Sequence, residues 1–262
     1  MKQSKTLDMT QFQNKKANFH THTTRCKHAY GEDRAYVEKA IEAGFEVLGF
    51  SDHVPWPFEG YVSPIRMQMK DVEGYVDSVF ALKEEYKSDI DIYLGFESEY
   101  FAEMFSELME QLQQYPIDYM ILGQHYLDNE VYRRYAGRDA DEATLISYVK
   151  QVIEGIRTGY FSYVAHPDLV SYQGYPAVYL QYMKQLCLEA KKLEIPLEIN
   201  VNGYREKIQY PNETFIQLAA ETGNTFIIGV DAHDPSQLLD KKNYEECVSL
   251  GKRYTDRLIC YR

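Results

Sequence analysis

Seven short apolar runs recur along the chain, and a longer amphipathic segment separates each run from the next. The runs are rich in Val, Ile, Leu, Phe and Tyr, which is typical of parallel strands buried on both faces. We therefore predict strands at Ala17–Thr21, Phe45–Asp52, Asp91–Ser98, Tyr119–His125, Phe161–Ala165, Pro196–Val201 and Thr225–Asp231.

The segments between the predicted strands carry start and stop signals for helices. Asp and Asn cap the first turn of a helix well, and glycine suits the left-handed position that follows the last turn. The predicted helices run from Asp33 to Gly44, from Asp71 to about Lys87, from Asp139 or Asp141 to Gly159, from Pro176 to Glu194, and from Asn212 to Gly223.

Strands that alternate with helices indicate either a closed α/β barrel or an open doubly wound sheet. A barrel enzyme carries its chemistry at the carboxyl ends of many strands, whereas an open sheet concentrates it at one switch point. Here a potential ligand lies at the end of nearly every strand. We therefore predict an α/β fold, a distorted seven-stranded (β/α)7 TIM-like barrel over residues 17–262, preceded by a polar extension at 1–16.

Composition and charge argue against several classes of protein, namely nucleic-acid binders, membrane-spanning proteins and secreted proteins. The net charge of −12 argues against a general nucleic-acid binder, which needs a basic face. The apolar runs are too short to span a bilayer, and the first 16 residues lack the apolar stretch of a secretory signal. The four cysteines form no CxxC pair. A cytoplasmic enzyme is the simplest interpretation.

All seven histidines lie in or just after predicted strand ends, which chance explains poorly. His20 and His22 are two residues apart, so in extended backbone both imidazoles face the same way and can bind one ion. A lone histidine at a strand end is more often structural, but imidazoles and carboxylates together suit zinc, manganese or iron. Glu97 and Glu99 share one face, and composition alone leaves both open as the ligand. The other histidines are His28, His53, His125, His166 and His233.

The combined motifs resemble the PHP family (polymerase and histidinol phosphatase), in its stand-alone histidinol-phosphatase branch. The matching segments are HTHTTRCKHA at 20–29, SDH at 51–53, GFESE at 95–99, GQH at 123–125, AHPD at 165–168, EINVNGYR at 198–205 and GVDAH at 229–233.

The resemblance implies a distorted barrel with two to three divalent ions, of zinc, manganese or iron, and favours Glu97 over Glu99 as a ligand. It implies three groups of ligands: His20, His22, Glu97 and Asp231; Glu97 as a bridge with His125 and His166; and His28, His53 and His233.

These ions would activate water for attack on phosphorus, with Glu97 and Asp231 in the catalytic machinery. The proton for the leaving group has three candidate sources, namely Asp52, Asp231 or a metal-bound water. Asp52 alternatively orients His53. Arg205 is predicted to give a bidentate fork to the phosphate.

The loop at 54–70 is the second candidate for substrate contact. Its aromatic residues, including Trp56, would either cap the substrate or plug the barrel, and Arg66 is a second candidate for the phosphate. Glu59 is a candidate partner for a substrate amine. Cys26 lies among the predicted ligands, and we expect a packed thiol there.

The sequence therefore predicts a phosphomonoesterase that hydrolyses the small molecule L-histidinol phosphate, a step of histidine biosynthesis. The alternatives are another phosphoesterase of the family, either a protein-tyrosine phosphatase or a nucleotide-directed enzyme, and a non-catalytic domain of a polymerase. The complete ligand set argues against the last. The sequence does not indicate an oligomeric state.

Overall fold

The computed structural model describes residues 6–262, and in that part of the chain eight parallel strands form one curled sheet in sequential order. Parallel neighbours joined through helices are the pattern expected from the alternation in the sequence. The strands are β1 (Ala17–Asn18), β2 (Val47–His53), β3 (Asp91–Ser98), β4 (Tyr119–Leu122), β5 (Tyr163–Val164), β6 (Leu197–Asn200), β7 (Phe226–Gly229) and β8 (Leu258–Ile259).

The helices cover the outside of the sheet, and their apolar faces form the main hydrophobic core with the outward faces of the strands. None of the helices in residues 6–262 is long and apolar enough to cross a membrane. The helices are α1 (Asp33–Glu42), α2 (Val72–Glu85), α3 (Phe105–Leu112), α4 (Glu142–Arg157), α5 (Pro176–Lys192), α6 (Val201–Glu206), α7 (Glu213–Thr222) and α8 (Lys241–Tyr254).

Helix ends follow the signals read from the sequence at several points. Asp141, rather than Asp139, caps α4 and accepts a hydrogen bond from the backbone N–H of Thr144. Asn212 caps α7, and Gly223 ends that helix with a φ of 86°. Helices α3, α6 and α8 were not predicted; α6 begins directly after β6, where the pattern of a strand hides it.

The barrel closes through hydrogen bonds from β1 and the segment that follows it to the residues just after β8 and β7. The N–H of Ala17 donates to the carbonyl of Cys260, and the N–H of His22 donates to the carbonyl of Ala232, at 3.2 and 2.9 Å. The predicted distorted TIM-like barrel is therefore confirmed. The structure adds an eighth strand, β8, whose two residues are too short a run to stand out in the sequence.

The lower end of the barrel, at the amino ends of the strands, is filled by apolar side chains. A 3-10 helix at Met9–Phe12 inserts both of these residues, which are 1% and 3% exposed, below the ring of Phe19. The predicted polar extension thus includes a hydrophobic plug, which sequence reasoning missed because its apolar residues are few and scattered in a polar stretch.

Above the plug, the Tyr119 ring spans the barrel and forms a floor. Its hydroxyl lies 2.9 Å from the carbonyl of Phe19 and 3.0 Å from that of Phe50. The ring fits because Gly49 and Gly95 have no Cβ; a Cβ at Gly95 would lie 2.5 Å from the Tyr119 ring. The polar residues at the carboxyl ends of the strands lie above this floor.

Candidate metal centre

The parallel register brings the polar strand ends to one level at the carboxyl end of the barrel. His53 on β2 is the register partner of Glu97 on β3. Along β3, residues two apart face the same side, so Glu97 follows Gly95 into the barrel interior. A Cβ at Gly123 would overlap the Glu97 carboxylate, and glycine there leaves room for that carboxylate near the barrel centre.

The first predicted group comes together around two carboxylates. The Nε2 atom of His20 lies 3.6 Å from Glu97 Oε1 and 3.4 Å from Asp231 Oδ1. The Nε2 atom of His22 lies 3.4 Å from Glu97 Oε2 and 3.2 Å from Asp231 Oδ1. Two imidazoles and two carboxylates thus converge at separations that suit the ligands of one ion.

The second predicted group shares the same carboxylate. His166 Nε2 is 2.8 Å and His125 Nε2 is 3.5 Å from Glu97 Oε1, the oxygen that also faces His20. Glu97 therefore lies between two sets of imidazoles, which is the position that a bridging ligand needs.

The third predicted group lies on the other side of His22. The His233 ring stacks on His22 with ring centroids 4.1 Å apart, and it lies 4.9 Å from the His28 ring. The His53 ring is 5.4 Å from that of His28, and its Nδ1 lies 3.1 Å from Glu97 Oε2. All nine predicted ligands therefore belong to one contiguous cluster.

Two of these ligands have backbone conformations that L-residues rarely adopt. Asp231 has a φ of 54° and His166 has a φ of 28°. Such conformations cost energy and persist where the surrounding structure enforces them, which is common at functional sites. In both cases the turn directs the side chain into the cluster instead of along the strand.

The donor set fits divalent cations, because the buried cluster leaves several polar atoms without partners. Within the described residues, His20 Nε2, His22 Nδ1, Glu97 Oε2 and His166 Nδ1 are buried and make no hydrogen bond. Unpaired buried polar atoms are costly unless a ligand satisfies them. Ring nitrogens of His20 and His22 also lie within 4.8 Å of a Glu97 oxygen and of one another.

The carboxylates and imidazoles of the cluster shift one another's pKa values. Burial would raise the pKa of Glu97 and of Asp231, but the surrounding imidazoles hold both well below the ordinary value. Burial, with help from the neighbouring His22, lowers the pKa of His53 and of His233 to about 3. Burial would lower the pKa of His20 and of His22, but the nearby carboxylates hold both well above the ordinary value. Because metals bind neutral imidazoles, an ion bound there would displace protons from these two rings.

Carboxylates behind the cluster orient its imidazoles, and sequence reasoning did not identify them in this role. The Glu198 carboxylate on β6 accepts from His20 Nδ1 at 2.8 Å and from the backbone N–H of His166 at 2.8 Å. Glu99 lies 3.3 Å from His125 Nδ1. Partners of this kind fix the ring orientation of metal-binding histidines. The signal for Glu198 was its position at the start of the segment EINVNGYR, where only Arg205 was singled out.

Asp52 occupies an outer position as well. It is fully buried and accepts hydrogen bonds from the hydroxyl of Thr23 and from the N–H of His53, the latter at 2.7 Å. Its Oδ1 lies 3.7 Å from His22 Nδ1. These contacts favour an orienting role over that of proton donor to a leaving group.

Arg205, on α6, lies beside the first group. Its guanidinium donates to Asn202, and Asn202 in turn lies 3.4 Å from Asp231 Oδ2. The Nη1 atom of Arg205 is buried without a hydrogen-bond partner, although the side chain is 17% exposed. Since Nε lies 3.2 Å from Glu206 and Nη2 binds Asn202, only Nη1 is without a partner, and the bidentate fork to phosphate stays a prediction.

Arg66 does not have the predicted exposure to a substrate. It is 1% exposed, and its guanidinium binds Glu99 at 3.0 Å, Glu130 at 2.7 Å and the carbonyl of Val54 at 3.1 Å. With its charge neutralised by two carboxylates, the prediction of a phosphate contact is wrong for this conformation. Arg66 instead ties the loop after β2 to Glu99 and thereby supports His125.

Trp56 and Glu59 are also placed differently from the predicted substrate contacts. Trp56 is 6% exposed, donates to Glu99 at 3.2 Å and packs on Phe101 with ring centroids 4.7 Å apart. It is therefore a plug, the second of the two roles considered for this loop. Glu59 lies exposed in a turn and makes no side-chain hydrogen bond or ion pair among the described residues.

Known proteins with similar sequences and folds place the cluster in context. A family model described as the PHP domain matches residues 18–202. A probable histidinol-phosphatase of Deinococcus radiodurans is 30% identical over 232 residues, which cover 84% of this chain and 86% of that protein. The histidinol-phosphatase of Bacillus subtilis is 27% identical, over 83% of this chain and 93% of that protein.

Among solved structures, a histidinol phosphate phosphatase from Lactococcus lactis, in complex with zinc, L-histidinol and phosphate, superposes with a TM-score of 0.73. It is 19% identical in sequence, and the alignment covers 94% of this chain and 95% of that one. At this identity the match supports the fold. Together with the family model, which spans well over half of the chain, these findings show that the chain belongs to the PHP domain family.

Proposed function

We propose that this chain is a metal-dependent phosphomonoesterase that hydrolyses L-histidinol phosphate to L-histidinol and phosphate. The observation that carries the proposal is the position of Glu97, whose two oxygens face imidazoles on opposite sides above a sealed floor. A centre of this kind suits two or three divalent ions, and a cluster of ions suits attack on a phosphate ester.

The ligand groups are those predicted from the family resemblance. Zinc, manganese or iron bound there would supply a nucleophile at neutral pH and would neutralise charge on the phosphoryl group. Neutral imidazoles make up most of the donors, so the bound ions would form a strong positive centre within a protein of net charge −12.

Side chains of the protein orient the imidazole ligands, and Arg205 adds a positive charge beside the ions. Glu198 and Glu99 hold the rings of His20 and His125, and Asp52 binds the backbone N–H of His53, so that the donor atoms need little rearrangement. Arg205 would place its unused Nη1 on a phosphoryl oxygen, where a preorganised positive donor stabilises developing charge.

The choice of L-histidinol phosphate draws on the names of the relatives and on the charge of this protein. That substrate carries an ammonium group and an imidazole beside its phosphate, and an acidic protein favours such a cationic end. Since Trp56 is buried and Glu59 is exposed in a turn, neither carries the argument for stacking or for amine recognition. We also propose a cytoplasmic location and no nucleic-acid substrate.

A substrate panel tests this proposal. Purified protein, supplied with zinc or manganese, should hydrolyse L-histidinol phosphate with a kcat/KM of about 10⁴ M⁻¹s⁻¹ or better. Nucleotides, aryl phosphates and a phosphotyrosyl peptide should react far more slowly, because their leaving groups differ in shape and charge from L-histidinol, with its ammonium and imidazole. The Glu97→Gln variant measures contaminating phosphatase in each assay.

Chelation provides the second half of the experiment. Removal of the metal should abolish turnover, and the addition of divalent ions should restore it. Full activity of a preparation with well under one metal equivalent per chain would contradict the metal-dependent mechanism. A phosphotyrosyl peptide or a nucleotide that outruns L-histidinol phosphate would contradict the substrate, and the metal-dependent mechanism would stand.

A further inference from the structure

Cys26 differs from the other three cysteines in its surroundings. Cys187, Cys247 and Cys260 pack in the apolar clusters of the protein, whereas Cys26, which is equally buried, belongs to neither cluster. It ends the short 3-10 turn between His22 and His28. A structural thiol packs against carbon, so the neighbours of Cys26 need another explanation.

Those neighbours are donor atoms. The Cys26 sulfur and ring nitrogens of His28 and His233 all lie within 4.8 Å of one another. The sulfur also forms a group of the same size with His22 and an oxygen of Asp52. His22 is 1% exposed, and its Nδ1 is a buried atom without a hydrogen-bond partner. The thiol therefore lies among potential metal ligands, of which His22 Nδ1 is buried and without a partner.

The local backbone prepares these donors for an ion. The carbonyl of Cys26 holds His28 Nδ1 at 2.7 Å, which leaves His28 Nε2 for a ligand. Zinc in a tetrahedral site binds nitrogen at about 2.0–2.1 Å and sulfur at about 2.3 Å. These bond lengths set the ligand atoms roughly 3.3–3.6 Å apart. A contraction of at most about 1.5 Å from the 4.8 Å limit of the observed group therefore completes the site.

We propose that Cys26 supplies a thiolate ligand to the third metal position, together with His28 and His233. The thiol would release its proton to solvent, and the sulfur would donate a lone pair to the ion. This inference rests on the proposed function, in which His28, His53 and His233 hold an ion. With Cys26, that position has four protein donors.

If Cys26 binds the third ion, that ion and the other ions would have different roles. A four-coordinate site filled by protein ligands is closed, whereas a catalytic zinc site keeps a position open for water. The third ion would therefore brace the cluster instead of activating water. A soft sulfur ligand also favours zinc or cobalt over manganese at this position.

Cobalt substitution of the full-length protein tests the inference directly. The wild-type protein loaded with Co²⁺ should show a thiolate-to-cobalt charge-transfer band in the near ultraviolet. Cys26→Ala and Cys26→Ser should lose this band, and Cys187→Ala, which removes a thiol that is also fully buried, should keep it. X-ray absorption of the zinc-loaded wild type should show a sulfur shell at about 2.3 Å. The zinc-loaded Cys26→Ala and Cys26→Ser variants should lack this shell.

The wild-type spectra decide the matter even if the Cys26 variants fail to fold. Bound cobalt and zinc with nitrogen and oxygen ligands alone would overturn the thiolate ligand and leave the proposed function intact. A band that persists in Cys26→Ser would also overturn it. A protein that binds no metal at all would overturn both the proposed function and this inference.

Discussion

Met9, Phe12 and Phe19 fill the lower end of the barrel, whereas imidazoles and carboxylates fill the upper end, where the innermost ligands are as deeply buried as the plug. The apolar lower end is satisfied by packing alone. The upper end leaves ring nitrogens and a Glu97 oxygen without partners. The lower end therefore stabilises the fold, whereas the upper end is built to bind a ligand, because unpaired buried polar atoms destabilise a fold unless a ligand satisfies them.

The change from one end to the other takes place within single strands. On β3, Tyr93 packs on the lower cluster, Gly95 lies at the floor and Glu97 enters the metal centre. These residues are two apart, so the pleat of the strand places all three on the inward side. One strand thus supplies both stability and chemistry, and substitutions at the two ends should separate these properties.

The largest expected effect is that of Glu97→Gln at the upper end. The change removes the anionic charge shared by two groups of ligands, so kcat/KM should fall by orders of magnitude, about 10³-fold or more. Steady-state kinetics and elemental analysis of the same preparation measure the loss of activity and the loss of metal.

Glu99→Gln is the matched control for that change, since it alters the neighbouring carboxylate on the same face. Glu99 binds Arg66 and orients His125, and Glu130 still pairs with Arg66 in the variant. The loss of activity should therefore be milder. If Glu99→Gln proves the more damaging of the two, Glu97 is not the bridge.

A smaller effect is expected for Arg205 at the edge of the same centre. Arg205→Ala should lower kcat/KM by roughly 10²–10³ through loss of a preorganised donor to the phosphoryl group. Lysine at this position should restore part of the activity, because it keeps the charge and lacks the planar fork.

The control for Arg205 is Arg157→Ala, which removes an exposed arginine paired with Glu189 on the outside of the barrel. Pairs of this kind contribute little, and kinetics should not change. Normal kcat/KM in Arg205→Ala would remove Arg205 from the list of phosphate contacts.

The smallest effect on catalysis, with a large one on stability, is expected at the lower end. Phe12→Ala should decrease the free energy of unfolding by about 3–5 kcal/mol, because it opens a cavity in the plug. The kcat/KM of the folded enzyme should stay within about twofold, since the Tyr119 floor separates the plug from the metal centre.

Urea unfolding measures the change, with Leu188→Ala as the control for loss of an apolar side chain that is 52% exposed on α5. That control should shift the free energy of unfolding by about 0.5 kcal/mol or less. A large loss of kcat/KM in folded Phe12→Ala would show that the two ends are not separate.

The sequence predicted the barrel and the members of the cluster because both leave local signals. Alternating apolar runs mark strands and helices, and ionisable residues at strand ends are conspicuous against apolar neighbours. Parallel register then brings such residues together without any further information. This is why His53 and Glu97, separated by 44 positions (97 − 53), could be assigned to one centre before their register was known.

Contacts behind the cluster left no such signal. Glu198 meets His20 across 178 positions, and Arg66 meets Glu130 across 64. Glu198, Arg66 and Glu130 are charged, so the sequence context of each suits a surface position or a ligand equally well. Only the packed barrel determines that Arg66 is buried among carboxylates, and the prediction of a phosphate contact failed for that reason.

The Tyr119 floor and the plug beneath it make the metal centre a blind-ended chamber among residues 6–262. A molecule that reaches the ligands must enter by the upper mouth, and both products must leave by the same route. Inorganic phosphate that lingers among the imidazoles therefore occupies the place of the next substrate. We therefore expect inorganic phosphate to compete with substrate, which steady-state kinetics at increasing phosphate would measure as a rise in KM at constant kcat.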